Sequence, residues 1–242
     1  MKRKILGFVL LLVALFGCSK QQERRHIVIL PDVSGSIEPS ALEQAFKAID
    51  ELSGSLRRGD KIAIIPILGD AEAEASGRII RFEMPMNRQA YDSDLRDFRV
   101  KLRSALQQME ARADAHPGAK TDILGSIVLA GQEFQIDKKS RRLLIVLSDF
   151  IQEDRNTDFN AYHYFGGNTT VKSLGMHSAQ SLENVQVYLG LLLSHEYAAM
   201  SDSRRKAIRE FWTDYFKASG AQAKFFTDGT GMLSQYFRIE IP

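Results

Sequence analysis

Short apolar runs along the chain alternate with longer segments in which an apolar residue recurs at every third or fourth position. The apolar runs are rich in β-branched residues, which is typical of strands buried on both faces of a sheet. They lie at residues 27–30, 61–68, 143–147, 185–193 and 223–226. A further run, 78–84, carries charges among its apolar residues, which favours an edge strand paired as a hairpin with the run before it.

The segments between the runs predict amphipathic helices, because the three–four spacing places apolar residues on one face. Pro39 suits the start of the first helix, which we expect to end before Gly59. The other segments with this spacing are 95–109, 123–134 and 208–216. Strands that alternate with helices predict one α/β domain with a mostly parallel sheet.

The N-terminus has the pattern of an export signal. Three cations precede the apolar run 5–16, which is short for a transmembrane helix. The ending Leu-Phe-Gly-Cys at 15–18 resembles a bacterial lipobox, and this resemblance implies cleavage before Cys18 and a lipid on Cys18. We therefore expect a signal peptide at 1–17, a lipidated tether at 18–25 and the folded domain at 26–242. The lipid would hold the domain on the outside of a cytoplasmic membrane or on an outer membrane. Ser19 is not the Asp that usually retains lipoproteins at an inner membrane, which in a Gram-negative envelope favours the outer membrane, facing the periplasm.

Composition narrows the possible functions of this domain. Cys18 is the one cysteine of the sequence, so the exported domain has no internal disulfide and depends on its core. Removal of the leader leaves 225 residues, enough for one well-buried core. Three of the 32 Lys and Arg residues lie in the leader, which leaves 29 against 30 Asp and Glu. That balance, without a long basic block, argues against nucleic-acid binding.

Polar side chains follow the first predicted strand directly. The strand stops at Pro31, and Asp32, Ser34 and Ser36 come next at alternate positions, with Gly35 allowing a tight turn. Open α/β sheets bind ligands at the carboxyl edge of their strands. Carboxylate and hydroxyl oxygens suit Mg²⁺ or Mn²⁺ rather than zinc. The sequence therefore predicts a site for a hard divalent cation at this edge.

Two distant residues extend this pattern to that of a known family. Thr121 follows a loop and Asp149 ends a strand built much like the first. With Asp32, Ser34 and Ser36, they resemble the metal-ion-dependent adhesion site of von Willebrand factor A domains, which combines DxSxS, a distant Thr and a distant Asp. The resemblance covers about residues 26–240.

The resemblance implies a Rossmann-like fold, with one antiparallel edge strand in a mostly parallel sheet and helices on both faces. It implies that Ser34, Ser36 and Thr121 give hydroxyl ligands to Mg²⁺ or Mn²⁺, with Asp32 and Asp149 acting directly or through water. The expected function is non-enzymatic: a lipid-anchored module of the bacterial cell envelope that binds an acidic side chain of a partner protein through the cation.

Other interpretations of the same residues remain open. Asp32, Ser36 and Thr121 could each cap a helix or form a turn. The metal could serve only to stabilise a structural envelope subunit. A Mg²⁺-dependent hydrolase is a third alternative, although no nucleophile, base or phosphate-binding cation can be placed.

Two more segments bear on binding. The connection 150–182 is long for a compact domain, and its aromatic residues at 159–165 could pack inside the loop or form an exposed contact patch. Arg58-Gly59-Asp60 spells an integrin-recognition tripeptide, but it falls between a helix and a strand, which favours a plain turn.

Overall fold

A six-stranded sheet forms the centre of the protein. The computed structural model describes residues 23–115, 120–155, 157–160 and 182–233. The strands are β1 (Arg25–Pro31), β2 (Lys61–Ile64), β3 (Ile80–Glu83), β4 (Arg141–Ser148), β5 (Gln186–Leu191) and β6 (Gln222–Phe226). Their order across the sheet is β3-β2-β1-β4-β5-β6. All neighbours are parallel except β2 and β3, so the predicted antiparallel edge strand is confirmed.

Helices cover both faces of this sheet, as expected. They are α1 (Pro39–Ser53), α2 (Arg88–Ala115), α3 (Ile123–Gln135), α4 (His195–Ala199) and α5 (Asp202–Ala218). The sequence pattern did not predict α4, because five residues are too few to show a helical period. The connection between β2 and β3 contains a π-helical turn at Ala71–Ala75, followed by a 3₁₀ turn at Ser76–Arg78.

Strand β1 explains why the first apolar run is uninterrupted. It lies between β2 and β4, and all seven of its residues are buried. A strand that is covered on both faces has no solvent side, so polar residues need not alternate along it. Pro31 pairs in register with Leu147 of β4, which brings the carboxyl ends of the two strands side by side.

Strand β2 is shorter than the predicted run 61–68. Pro66 has no backbone N–H and cannot take part in a regular ladder. The chain nevertheless continues along β1, since the N–H groups of Ile65 and Ile67 donate to carbonyl oxygens of Ile29 and Pro31 at 2.9 Å each. The loop after β2 is therefore also held at the edge where β1 ends.

The start of the domain is fixed by a buried ion pair. Arg25 falls within the predicted tether 18–25, but in the structure it opens β1, and its side chain forms a salt bridge with Asp60. Both side chains are almost fully buried. Because Asp60 belongs to the Arg-Gly-Asp tripeptide, its burial fits the interpretation of that tripeptide as a turn.

Several expectations concern residues outside the described ranges. These are the leader and the tether up to residue 22 with Cys18, the stretch 161–181 of the long connection, and the C-terminal residues 234–242. Phe159, within the described part of the connection, is completely buried, so this residue does not contribute to an exposed contact patch. In the ranges that the structure describes, no helix is both long and apolar enough to cross a membrane.

Candidate metal-binding site

Asp32 lies at the centre of the predicted site and is completely buried. Its backbone N–H donates to the carbonyl of Leu147 on β4 at 2.8 Å, which fixes the residue beyond the end of β1. One carboxylate oxygen accepts from the backbone N–H of Ser34 at 3.0 Å, and the other accepts from the Ser148 hydroxyl at 2.6 Å. The carboxylate is thus held rigidly by two neighbouring strands.

The two serines connect this carboxylate to Asp149. The Ser34 and Ser36 hydroxyl oxygens lie 2.9 Å apart, and Ser36 Oγ donates to Asp149 Oδ2 over a long 3.5 Å. The other Asp149 oxygen accepts from the backbone N–H of Ile151 at 3.0 Å. Ser36 is half-buried whereas Ser34 and the carboxylates are fully buried, so the cluster meets solvent on the Ser36 side.

Thr121 reaches the same edge through its backbone. It pairs with Glu153, each residue's N–H donating to the other's carbonyl at 2.9 and 2.8 Å. The next N–H, that of Asp122, donates to Leu68, one residue beyond the segment that bridges to Asp32. In the described part of the chain, no hydrogen bond joins the Thr121 side chain to Asp32, Ser34, Ser36 or Asp149.

The interpretation of these residues as helix caps finds no support in the helix ends. The N-cap of α3 is Asp122, whose side chain accepts from the N–H of Gly125, and not Thr121. The N-cap of α1 is Glu38, which makes no side-chain cap bond. The Asp32 carboxylate does accept a hydrogen bond from the backbone N–H of Ser34, as in an Asx turn, so stabilising this turn is part of its role.

Burial shifts the pKa of both acids upward. Loss of solvation raises the pKa of Asp32, with hydrogen bonds from Ser148 and Ser34 acting in the opposite direction. Burial and, second, the nearby Asp32 raise the pKa of Asp149 from 3.8 to about 7. Two carboxylates that share a desolvated site repel each other when both are ionised. A cation placed between them would favour the ionised forms.

The donor set fits a hard divalent cation. Of the residues that the structure describes, no Lys, Arg or His forms an ion pair with Asp32 or Asp149. The 2.9 Å between the two serine oxygens equals the separation of about 2.9 Å expected for neighbouring ligands around octahedral Mg²⁺. No cluster of three His, Cys, Asp or Glu side chains suited to a metal is found in the described ranges, and a site built on hydroxyls does not require one.

Sequence reasoning missed two serines that act on the acids. Ser148 donates to Asp32 and accepts from the Phe150 N–H at 2.9 Å. Ser194 caps α4 and donates a hydrogen bond to Asp149, which lowers the pKa of that acid. Ser148 could have been found from the sequence because it directly precedes Asp149. No sequence pattern links Ser194 to Asp149, which lies 45 positions earlier in the chain.

The backbone beside Asp149 is unusual. Phe150 has a positive φ of 64°, a conformation that side-chain-bearing residues rarely adopt. Its carbonyl accepts from Trp212 Nε1 of α5 at 2.9 Å, and both side chains are completely buried. Packing of α5 thus holds the turn that directs Asp149 toward β1.

Comparison with known proteins identifies structures with a similar fold. No family model and no curated protein matches the sequence. A solved structure titled von Willebrand factor type A from Catenulispora acidiphila is similar at a TM-score of 0.50 and 16% identity, over 90% of this chain and 41% of that chain. The pilus adhesin SpaC from Lactobacillus rhamnosus GG is similar at 0.53 and 11% identity, over 92% of this chain and 31% of that chain.

These similarities, with the strand order and the single antiparallel edge, define a von Willebrand factor A-like fold of the Rossmann-like α/β class. At this level of identity they define the fold alone. The chain spans less than half the length of either of these structures.

The raised pKa of Asp149 predicts a distinctive pH dependence for metal-free protein. The folded state keeps a proton up to about pH 7 that the unfolded state loses near 3.8, so this group's contribution to the free energy of unfolding falls across that window. The slope is on the order of 1 kcal/mol per pH unit. Urea unfolding in EDTA at several pH values should show a steeper loss in the wild type than in Asp149→Asn, in which the buried Asp32 still contributes a loss of the same sign.

The comparison between variant and wild type is needed because His26 acts in the opposite direction. Burial lowers its pKa, so its contribution to stability increases with pH. Parallel stability profiles for the wild type and Asp149→Asn would contradict the prediction.

Proposed function

We propose that this protein is a cation-dependent binding module, held at the bacterial cell envelope by a lipid on Cys18. Asp32, Ser34, Ser36, Thr121 and Asp149 would hold Mg²⁺ or Mn²⁺, and a partner protein would complete the ion's shell with an acidic side chain. The ion supplies a positive charge that bridges the two proteins. The chain's own residues would hold the ion in place and exclude water from one side of it.

One observation carries this proposal. Two fully buried carboxylates, Asp32 and Asp149, share a hydrogen-bonded cluster with the hydroxyls of Ser34 and Ser36, and no described cation forms an ion pair with either acid. An uncompensated pair of buried charges is unfavourable unless it is protonated or binds a metal. The presence of both acids in one buried cluster is therefore consistent with a bound ion.

The hydrogen bonding and exposure of the cluster also favour a partner that supplies a ligand to the ion. Both oxygens of Asp32 already accept hydrogen bonds from the protein, which favours contact with the ion through water. Neutral hydroxyls from Ser34 and Ser36 leave much of the ion's charge uncancelled. Because Ser36 is the part of the cluster that meets solvent, an external carboxylate can approach the ion there.

Metal affinity of single variants tests the ligand set. Ser34→Ala, Ser36→Ala and Thr121→Val should each weaken Mn²⁺ or Mg²⁺ binding in calorimetry by about tenfold or more, because each removes one proposed ligand oxygen, and even the loss of a residue that supports a ligand typically costs about 10–100-fold in metal affinity. Thr121→Ser keeps the hydroxyl and should retain binding. Ser93→Ala removes an exposed serine on α2 and serves as the control.

Partner capture separates binding from a purely structural metal. Affinity purification from membranes should recover a protein that is lost with EDTA and with the Ser34→Ala/Ser36→Ala double variant. If EDTA lowers the melting temperature while the same partner is recovered, the metal only stabilises the fold and the binding proposal is wrong.

Anchoring is tested separately. Cys18→Ser should abolish lipid attachment and move the protein from the detergent phase to the aqueous phase in a phase-separation assay. Mass spectrometry of the wild-type N-terminus should show a chain that starts at a lipid-modified Cys18. An intact leader, or an unmodified Cys18 in the mature chain, would contradict lipid anchoring.

A further inference from the structure

A cleft of about 380 Å³ opens directly beside the candidate metal site. Ser34 is among the residues that line it, together with the apolar side chains of Val33 and Leu68. Its volume is near the lower end of the range for ligand pockets, about 300–1,000 Å³. The cleft is therefore suited to one or two side chains rather than to a large cofactor.

Three cations from separate parts of the chain converge on this cleft. Arg112 comes from α2, Lys120 precedes α3, and Arg155 follows β4. They face two carboxylates in the lining, those of Asp70 and Glu74. Among the lining residues, cations outnumber carboxylates by three to two, which favours an anionic ligand, although Glu153 outside the lining also pairs with Lys120.

The two outermost cations hold only weak ion pairs. Lys120 Nζ lies 3.7 Å from Glu153, and Arg155 lies 3.5 Å from Asp70. Their side chains are 52% and 86% exposed. Exposed pairs of this kind contribute about 0–1 kcal/mol, so an incoming carboxylate can replace the present partner at little cost. Arg112, the least exposed of the three cations, pairs with Glu74.

The position of Lys120 relative to the metal site is fixed by the backbone. Its neighbour Thr121 is paired with Glu153 on one side, and Asp122 is bonded to Leu68 on the other. A side chain at Gly69 would come within 3.3 Å of Lys120, so the glycine allows the two loops to approach closely. The cationic cleft and the candidate metal ligands therefore belong to one rigid edge.

We propose that this cleft binds a second acidic side chain of the same partner, so that the partner presents a short segment with two carboxylates. One carboxylate would reach the cation at Ser34 and Ser36, and the other would reach Lys120 and Arg155. This inference rests on the proposed function, and it specifies the chemistry of the partner: an acidic peptide segment rather than a single acidic residue.

Defined peptides test the inference with the full domain. A Gly-Ser peptide with one Asp is compared with a series in which a second Asp follows one, two or three positions later. Binding in excess Mg²⁺ is followed from the amide NMR signals of Gly69 and Lys120. At the best spacing, the two-acid peptide should bind about two- to fivefold tighter, as expected for one additional exposed charge pair.

Charge-neutral variants identify the cleft as the cause. Lys120→Gln/Arg155→Gln should remove the advantage of the second Asp. Lys206→Gln/Lys217→Gln neutralises two exposed cations of α5 and should preserve it. Mg²⁺ affinity is measured for every variant, so that peptides are compared at equal occupancy of the metal site. High salt should reduce the advantage as well.

The outcomes separate this inference from the proposed function. Equal affinity for one-acid and two-acid peptides at every spacing overturns the inference, as does an advantage that survives Lys120→Gln/Arg155→Gln. If peptide binding and the advantage both persist in EDTA, the cleft is supported and the metal-bridging function is wrong. If inorganic phosphate shifts the same signals as strongly as the two-acid peptide, the cleft is a general anion site and the inference is wrong.

Discussion

The repulsion between two buried carboxylates, Asp32 and Asp149, is the physical constraint on which the candidate site depends. Both side chains are completely buried, and burial raises the pKa of each, while repulsion from Asp32 raises the pKa of Asp149 further. Without a counter-charge, the folded protein must keep a proton in this cluster near neutral pH. A divalent ion bound at the proposed site would supply that counter-charge and favour the ionised forms of both acids.

The fold produces this arrangement through the pairing of its central strands. Since β1 and β4 are parallel neighbours in exact register, their carboxyl ends lie together, and the residues that follow each strand meet at one edge. The loop after β2 is hydrogen-bonded to the end of β1, and the same loop accepts a hydrogen bond from the residue that precedes α3. Helix α5 supports the same edge from behind, through the bond from Trp212 to the strained Phe150. The candidate site therefore lies at the ends of two strands that are buried along most of their length.

Much of this could be predicted from the sequence. Uninterrupted apolar runs identified the parallel strands, because a strand buried on both faces has no polar side. The mixed composition of 78–84 identified the antiparallel edge strand, because an edge strand is partly exposed and tolerates charges. Residues that follow directly on buried strands, such as Asp32 and Asp149, could be assigned to the sheet edge from the α/β alternation alone.

Other features depend on tertiary contacts that leave no local pattern. Ser194 acts on Asp149 only because β5 ends beside β4, and α4 is too short for a period to show. The cationic cleft combines Arg112, Lys120 and Arg155 from three separated segments, and each is unremarkable in its own stretch of sequence. Burial of Phe159 likewise depends on packing against Phe211 and Trp212 of α5, so the sequence left its role open.

The most direct test of the central claim is to locate the ion itself. A crystal of the domain grown with Mn²⁺ should show an anomalous scattering peak bounded by the Ser34, Ser36 and Thr121 hydroxyls, with ligand oxygens at about 2.0–2.2 Å, close to the distances that Mg²⁺ requires. A well-diffracting crystal with no peak at this edge, or with the peak at another group of residues, would contradict the account.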